Sequence, residues 1–210
     1  MGRQVLVAAD QVQLAIPLPD GAQEEPTSPI DLSAVPGAKL ALQRAYRLPG
    51  GGAVELACAT AAADLWVPGL EGAVLAGASA MVRERAGLSA LSSEPIEPVA
   101  GHWQQSFAGS AAQPSPVLAS GRHVLGFVGA DRDALVCSLV CSAPPPADQC
   151  FALSAGLEVR GPLGPPPEPG MGGAMLSWAA AHPLVALSIA GAVGLLVAVL
   201  ILIRRPRPAW

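Results

Sequence analysis

Residues 183–203, PLVALSIAGAVGLLVAVLILI, form a run of 21 residues without a charge, an amide side chain or a histidine. At 1.5 Å rise per residue, about 20 residues cross the ~30 Å hydrocarbon core of a bilayer. A segment in lipid must satisfy every backbone group internally, and a helix does so. Arg204, Arg205 and Arg207 follow at once, and Trp178 and Trp210 flank the run. Cations and indoles are the residues that anchor a span at its two interfaces. A helix buried in a soluble core is the alternative, but all-round apolarity and a terminal position favour the membrane. The expectation is a single-pass transmembrane helix over 183–203, with a basic tail over 204–210. Within it, Ala190 and Gly194 have the small-xxx-small spacing that lets two helices approach closely. A weak homodimer through that pair is the corresponding expectation, although a span this rich in Ala and Gly produces such spacings by chance.

The rest of the chain behaves differently. Apolar types make up 51% of the 210 residues and charged types 13%, about half the charged share of an ordinary soluble domain. The net charge is −4 and there is no basic block, which argues against a nucleic-acid surface. The apolar content is too high for a disordered chain. Lys39 is the one lysine beside eleven arginines, a bias that reads as GC-rich, bacterial coding rather than as chemistry. Asp10, Gln11 and Gln13 interrupt what a signal peptide would keep apolar. Leu6 stands where a myristoylation signal needs Ser or Thr.

GPLGPPPEPGMGG, residues 161–173, holds almost nothing that packs. It reads as a semi-stiff spacer reaching up to about 40 Å at ~3.1 Å per residue. The expected organisation is a soluble domain over 1–160, a linker and juxtamembrane segment over 161–182, the helix over 183–203 and the tail. A chain ending at Arg160 is expected to fold by itself.

Within 1–160, Leu40, Leu42, Tyr46 and Leu48 share one alternating face with Arg44 as the exception, LPGGG turns the chain, and Val54, Leu56 and Cys58 answer them. This is a hairpin pattern. Leu70, Val74, Leu75, Ala78, Met81 and Val82 then switch to a helical stripe over 70–86, with Glu71, Arg83, Glu84 and Arg85 largely off it. Val99, Trp103 and Phe107 return to period two over 99–108. Two further strands, 122–128 and 134–142, flank the turn GADRD. A short helix follows Ala147, with Cys150, Phe151, Ser154 and Leu157 on one stripe. Adjacent strands joined by short turns favour antiparallel pairing, and the two helices are expected to cover one face of the sheet: an α+β domain.

This order, and the stretch GRHVLGFVGADRDALVCSLVCSAPPPADQCFALSAGLEV, resembles the final hairpin and closing helix of PsbP-like α+β domains. The likeness covers roughly residues 5–160 and implies a compact, usually non-catalytic module on a membrane-associated or secreted protein. It includes no diagnostic motif and implies no site residue.

Four cysteines are the most suggestive cluster. Cys137, Cys141 and Cys150 are spaced C-x3-C-x8-C, with Cys58 far upstream, and lack the C-x2-C knuckle of common zinc sites. Cys137 and Cys141 on one strand would lie ~13 Å apart at about 3.3 Å per residue, too far to bond each other. Four buried, reduced thiols are the favoured outcome. A Cys141–Cys150 disulfide and a metal site are the alternatives. His102 falls on the polar face of its strand, where a solvated imidazole is expected, and His182 beside Pro183 reads as interfacial. No G-x-S-x-G elbow appears, and PGGGAV at 49–54 lacks the following lysine and helix of a phosphate loop. No catalytic, cofactor-binding or metal-ligating residue is therefore assigned.

The resulting expectation is a tail-anchored, non-catalytic binding or scaffolding protein in contact with the bilayer and a protein partner. The alternatives are an enzyme with a site around His102 or His123 and a cysteine-based redox or metal sensor. Three arginines after the span favour a cytoplasmic tail. Translocating a seven-residue tail is easier than translocating a domain, however, and four reduced thiols suit a reducing compartment. On that balance residues 1–182 are expected in the cytoplasm.

Overall fold

A strand buried along nearly its whole length must be covered on both sides. β9 (Val117–Val128) is such a strand, with nine of its twelve residues buried. It lies in a computed structural model that describes residues 2–9, 11–33, 35, 37–63, 66–112, 116–168, 174 and 182. The expected span at 183–203, with Ala190 and Gly194, falls outside the described residues, as do Trp178 and the tail. Among the described residues no helix is long and apolar enough to cross a membrane.

The elements in chain order are β1 (Gly2–Val7), β2 (Gln13–Leu18), β3 (Gln23–Glu25), β4 (Lys39–Arg47), β5 (Ala53–Ala61), α1 (Leu70–Arg85), β6 (Ala90–Ser93), β7 (Glu97–Val99), β8 (His102–Ala111), β9, β10 (Asp133–Ala143), α2 (Asp148–Ala155) and β11 (Glu158–Arg160). An eight-stranded antiparallel sheet has the order β3-β4-β5-β10-β9-β8-β6, with β7 also on β8, and a second sheet has the order β1-β2-β11. The α+β class and the antiparallel pairing agree with the sequence pattern.

The helices do not share a face. Val124 and Val128 of β9, with Leu135, Cys137, Leu139 and Cys141 of β10, pack against Leu14 and Ile16 of β2 and Cys150 and Leu153 of α2. The alternate residues Leu125 and Phe127 pack with Leu75 of α1 and Trp66, and Phe107 and Ala119 pack with Val82 of α1. So α2 and the small sheet cover one side, and α1 covers the other. An apolar stripe shows that a helix docks, not on which side of a sheet it docks. Burial of each Leu, Ile or Val side chain contributes about 1.5–3 kcal/mol, and both layers draw on β9.

Local chemistry explains the element ends. The Glu71 carboxylate accepts the Gly69 N–H at 2.9 Å, and Arg83 and Arg85 occupy the last turn of α1, both favourable to the helix dipole. Leu88 donates to the Arg83 carbonyl at 2.9 Å and Gly87 to that of Glu84 at 3.2 Å. With Gly87 at φ +61°, this is a Schellman stop. Gly50 and Gly51, at φ 92° and 91°, carry the turn between β4 and β5. Leu40 was expected inside, but a bulge between Leu40 and Leu42 leaves it 45% exposed.

Two other expectations are corrected. Residues 99–108 are not one strand: Ala100 and Gly101, at φ 42° and 90°, make a two-residue turn that pairs Val99 with His102. Positive φ at both central residues is what such a hairpin demands. The stretch from Gly161 also packs at its start. Leu163 rests on the core, Gly164 donates to the Phe127 carbonyl at 2.9 Å, and Arg132 Nη1 donates to the Pro166 carbonyl at 3.3 Å.

Candidate functional site

Among the described residues His123 is the most enclosed polar side chain, 0% exposed. It points to the α1 side of the central sheet. Its Nδ1 lies 2.8 Å from Ser138 Oγ on β10, and its Nε2 lies 3.0 Å from Ser79 Oγ on α1. Phe107 stacks on the imidazole at 4.5 Å and 25°. Ser79 Oγ continues to Ser93 Oγ on β6 at 3.4 Å. Burial pushes the His123 pKa down to about 4, so the ring is neutral near pH 7. It donates to one serine and accepts from the other.

The chemistry open to this hydrogen-bonded network is limited. A serine beside an imidazole is half of a nucleophilic site, but the hydrogen-bond partners of the ring include no carboxylate. A base with pKa about 4 is also poorly matched to proton abstraction near neutrality. Ser79 is itself 9% exposed. The network ties α1 to β9 and β10. A shallow, open depression of about 300 Å³ lies elsewhere, over the paired strands β6 and β8, lined by Ala90, Leu91, Ser92, Ala108, Gly109 and Ser110. None of those side chains titrates.

His102 is not solvated. It is 8% exposed, and its Nε2 lies 2.7 Å from Gln104 Nε2. That contact is a hydrogen bond when the amide donates to a neutral ring protonated on Nδ1. Burial holds its pKa below the usual histidine value, partly opposed by a hydrogen bond to the Ala100 backbone. The Leu163 segment packs against the 100–101 turn that precedes His102: the Leu163 carbonyl stands 3.3 Å from a Cβ built on Gly101.

The expectation of four reduced cysteines is overturned. Cys58 bonds Cys137, with Cα atoms 4.1 Å apart, and Cys141 bonds Cys150, with Cα atoms 5.1 Å apart. Cys58 and Cys137 are direct partners in the β5–β10 ladder, near the ~4.5 Å spacing of a non-hydrogen-bonded pair. Periodicity had put both on apolar faces, but only the register of strands far apart in sequence sets them opposite each other. Among the described residues no group of three His, Cys, Asp or Glu side chains is placed to hold a metal ion.

One polar cluster was not anticipated. Arg85 Nε donates to both Glu55 oxygens, at 3.0 and 2.9 Å, and Nη2 donates to the Ser28 carbonyl at 2.7 Å. Gln43 Nε2 donates to the same carbonyl and to Glu55 Oε1, each at 2.8 Å. The Glu55 hydrogen bond, aided by its charge, raises the Arg85 pKa. This clasp fastens the β3–β4 loop to the end of α1. Arg85 stood off the helix stripe in the sequence, which marks it as outward-facing and says nothing of its partner.

No protein-family profile matches the chain, and no curated protein matches it in sequence. Solved structures similar to it include LpqN, involved in cell envelope biogenesis of Mycobacterium tuberculosis, at 12% identity and TM-score 0.46, covering 76% of this chain and 91% of that one. Another is the Saccharomyces cerevisiae Ran-binding protein Mog1p, at 11% identity and TM-score 0.40, covering 74% and 84%. The overlap is too loose to transfer a site or a role.

Proposed function

We propose that this chain is a single-pass membrane protein whose α+β body is a non-catalytic domain that binds a protein partner at the bilayer. The apolar run at 183–203 with its arginines supports the anchor. One observation carries the non-catalytic part: His102 and His123, the histidines of the domain, are interior groups bound to serines or an amide. The four cysteines are at most 1% exposed, so exchange with an external thiol lacks the access it requires, and a thiol-based sensor is the weaker reading.

The test is affinity purification of the full chain from detergent-solubilised membranes after chemical crosslinking. A stoichiometric protein partner that is also retained by H102Q is the expected result. Repeated preparations without one overturn the proposal. So does loss of cellular role in H102Q while its melting profile is unchanged.

A further inference from the structure

We infer that residues 2–168 face the oxidising, non-cytoplasmic side of the membrane, with Arg204, Arg205 and Arg207 in the cytoplasm; this rests on the membrane-anchor reading above. A buried reduced cysteine needs no partner, since it behaves as a small apolar side chain. Here all four cysteines of the chain are consumed in two bonds. Cys58 of β5 meets Cys137 of β10, and Cys141 of the same strand meets Cys150 of α2. One strand is thus tied both to its neighbour in the sheet and to the helix that covers it. Such bonds form and persist in oxidising compartments and are rare where thioredoxin and glutathione keep thiols reduced.

The residues flanking the apolar run point the same way by a separate route. Three arginines lie within residues 204–207, whereas residues 168–182 carry Glu168 as their one Asp, Glu, Lys or Arg. Lys and Arg close to a span stay on the cytoplasmic side. The cytoplasmic placement of residues 1–182 drew on the ease of translocating a seven-residue tail and on reduced thiols. With the sulfurs paired, the compartment and the flanking charge agree on the opposite orientation.

The test uses the full chain with a site-specific protease sequence inserted between Gly170 and Met171. Right-side-out vesicles from the cells that express it are divided, and one portion is extracted with alkaline carbonate. Release of the chain by carbonate overturns the anchor and the orientation together. With the chain retained there, protease added outside the untreated portion is expected to free the domain from intact vesicles. A maleimide-polyethylene glycol is expected to add to four cysteines of the denatured chain only after reduction. A domain that is cut only once the vesicles are opened, or four cysteines that react without reduction, overturns the orientation while leaving the anchor standing.

Discussion

Phe107 lies over Gly121, its direct partner across β8 and β9, and a Cβ built on that glycine would come within 2.2 Å of the ring Cζ. The same ring stacks on His123. The absence of a side chain at position 121 is therefore what lets the aromatic ring cover the buried imidazole. The new methyl group would also stand 2.2 Å from the Leu139 carbonyl, and backbone cannot swing away as a side chain can. Gly121→Ala is expected to destabilise the domain by about 3 kcal/mol, the upper end of ordinary overpacking. Urea titration against the parent chain measures it, and a loss below about 0.5 kcal/mol counts against this packing.

The His123 network makes stability depend on acid. Its folded pKa, about 4, lies below the ordinary 6.5, so the unfolded chain binds the extra proton between those values. The contribution is fully present above about pH 6.5 and is lost as pH falls towards 4. The loss is on the order of 3 kcal/mol at 1.36 kcal/mol per unit. Burial lowers the His102 pKa as well, adding in the same direction. Denaturant midpoints at pH 7 and pH 4.5 measure the slope, and H123N is expected to flatten it.

The two disulfides should differ in weight. Cys58–Cys137 joins positions 79 apart and Cys141–Cys150 positions 9 apart. Loop-closure entropy predicts about 4.5 kcal/mol for the first and about 2.7 kcal/mol for the second. C58S/C137S is expected to melt at a lower temperature than C141S/C150S in calorimetry under non-reducing conditions. The reverse order would show that strain or residual unfolded structure dominates.

Glu55 and Arg85 are 28% and 27% exposed at their side chains, so solvent screens their charge and a simple pair would count for little. Arg85 also holds the Ser28 carbonyl, however. Arg85→Ala is expected to cost about 1–2 kcal/mol, the range of hydrogen bonds to a charged group after that discount. Hydrogen exchange should quicken around Ser28 more than in β9. Uniform quickening would refute a local clasp.

Because Leu163 and Gly164 are docked, a chain ending at residue 168 should melt cooperatively and at a higher temperature than one ending at Arg160. Partial burial of one leucine is worth about 1 kcal/mol. Equal melting temperatures would place the domain's end at Arg160.

Nearest-neighbour chemistry was legible in the sequence itself. Period-two alternation on either side of LPGGG marked β4 and β5. A 3.6-residue stripe located α1 to within a residue of its observed Leu70–Arg85, and GADRD marked the turn between β9 and β10. Each rests on residues within one or two turns of each other, whose spacing is set by the backbone alone. Tertiary structure decided what depends on contacts between distant segments. Examples are the side of the sheet taken by each helix, the pairing of Cys58 with Cys137, the burial of His102 behind a turn, and the two serines on His123. Amphipathic periodicity tells a segment to hide one face; it carries no record of which partner will hide it, because register and layer order are settled only when loops close and many apolar faces compete for the same core.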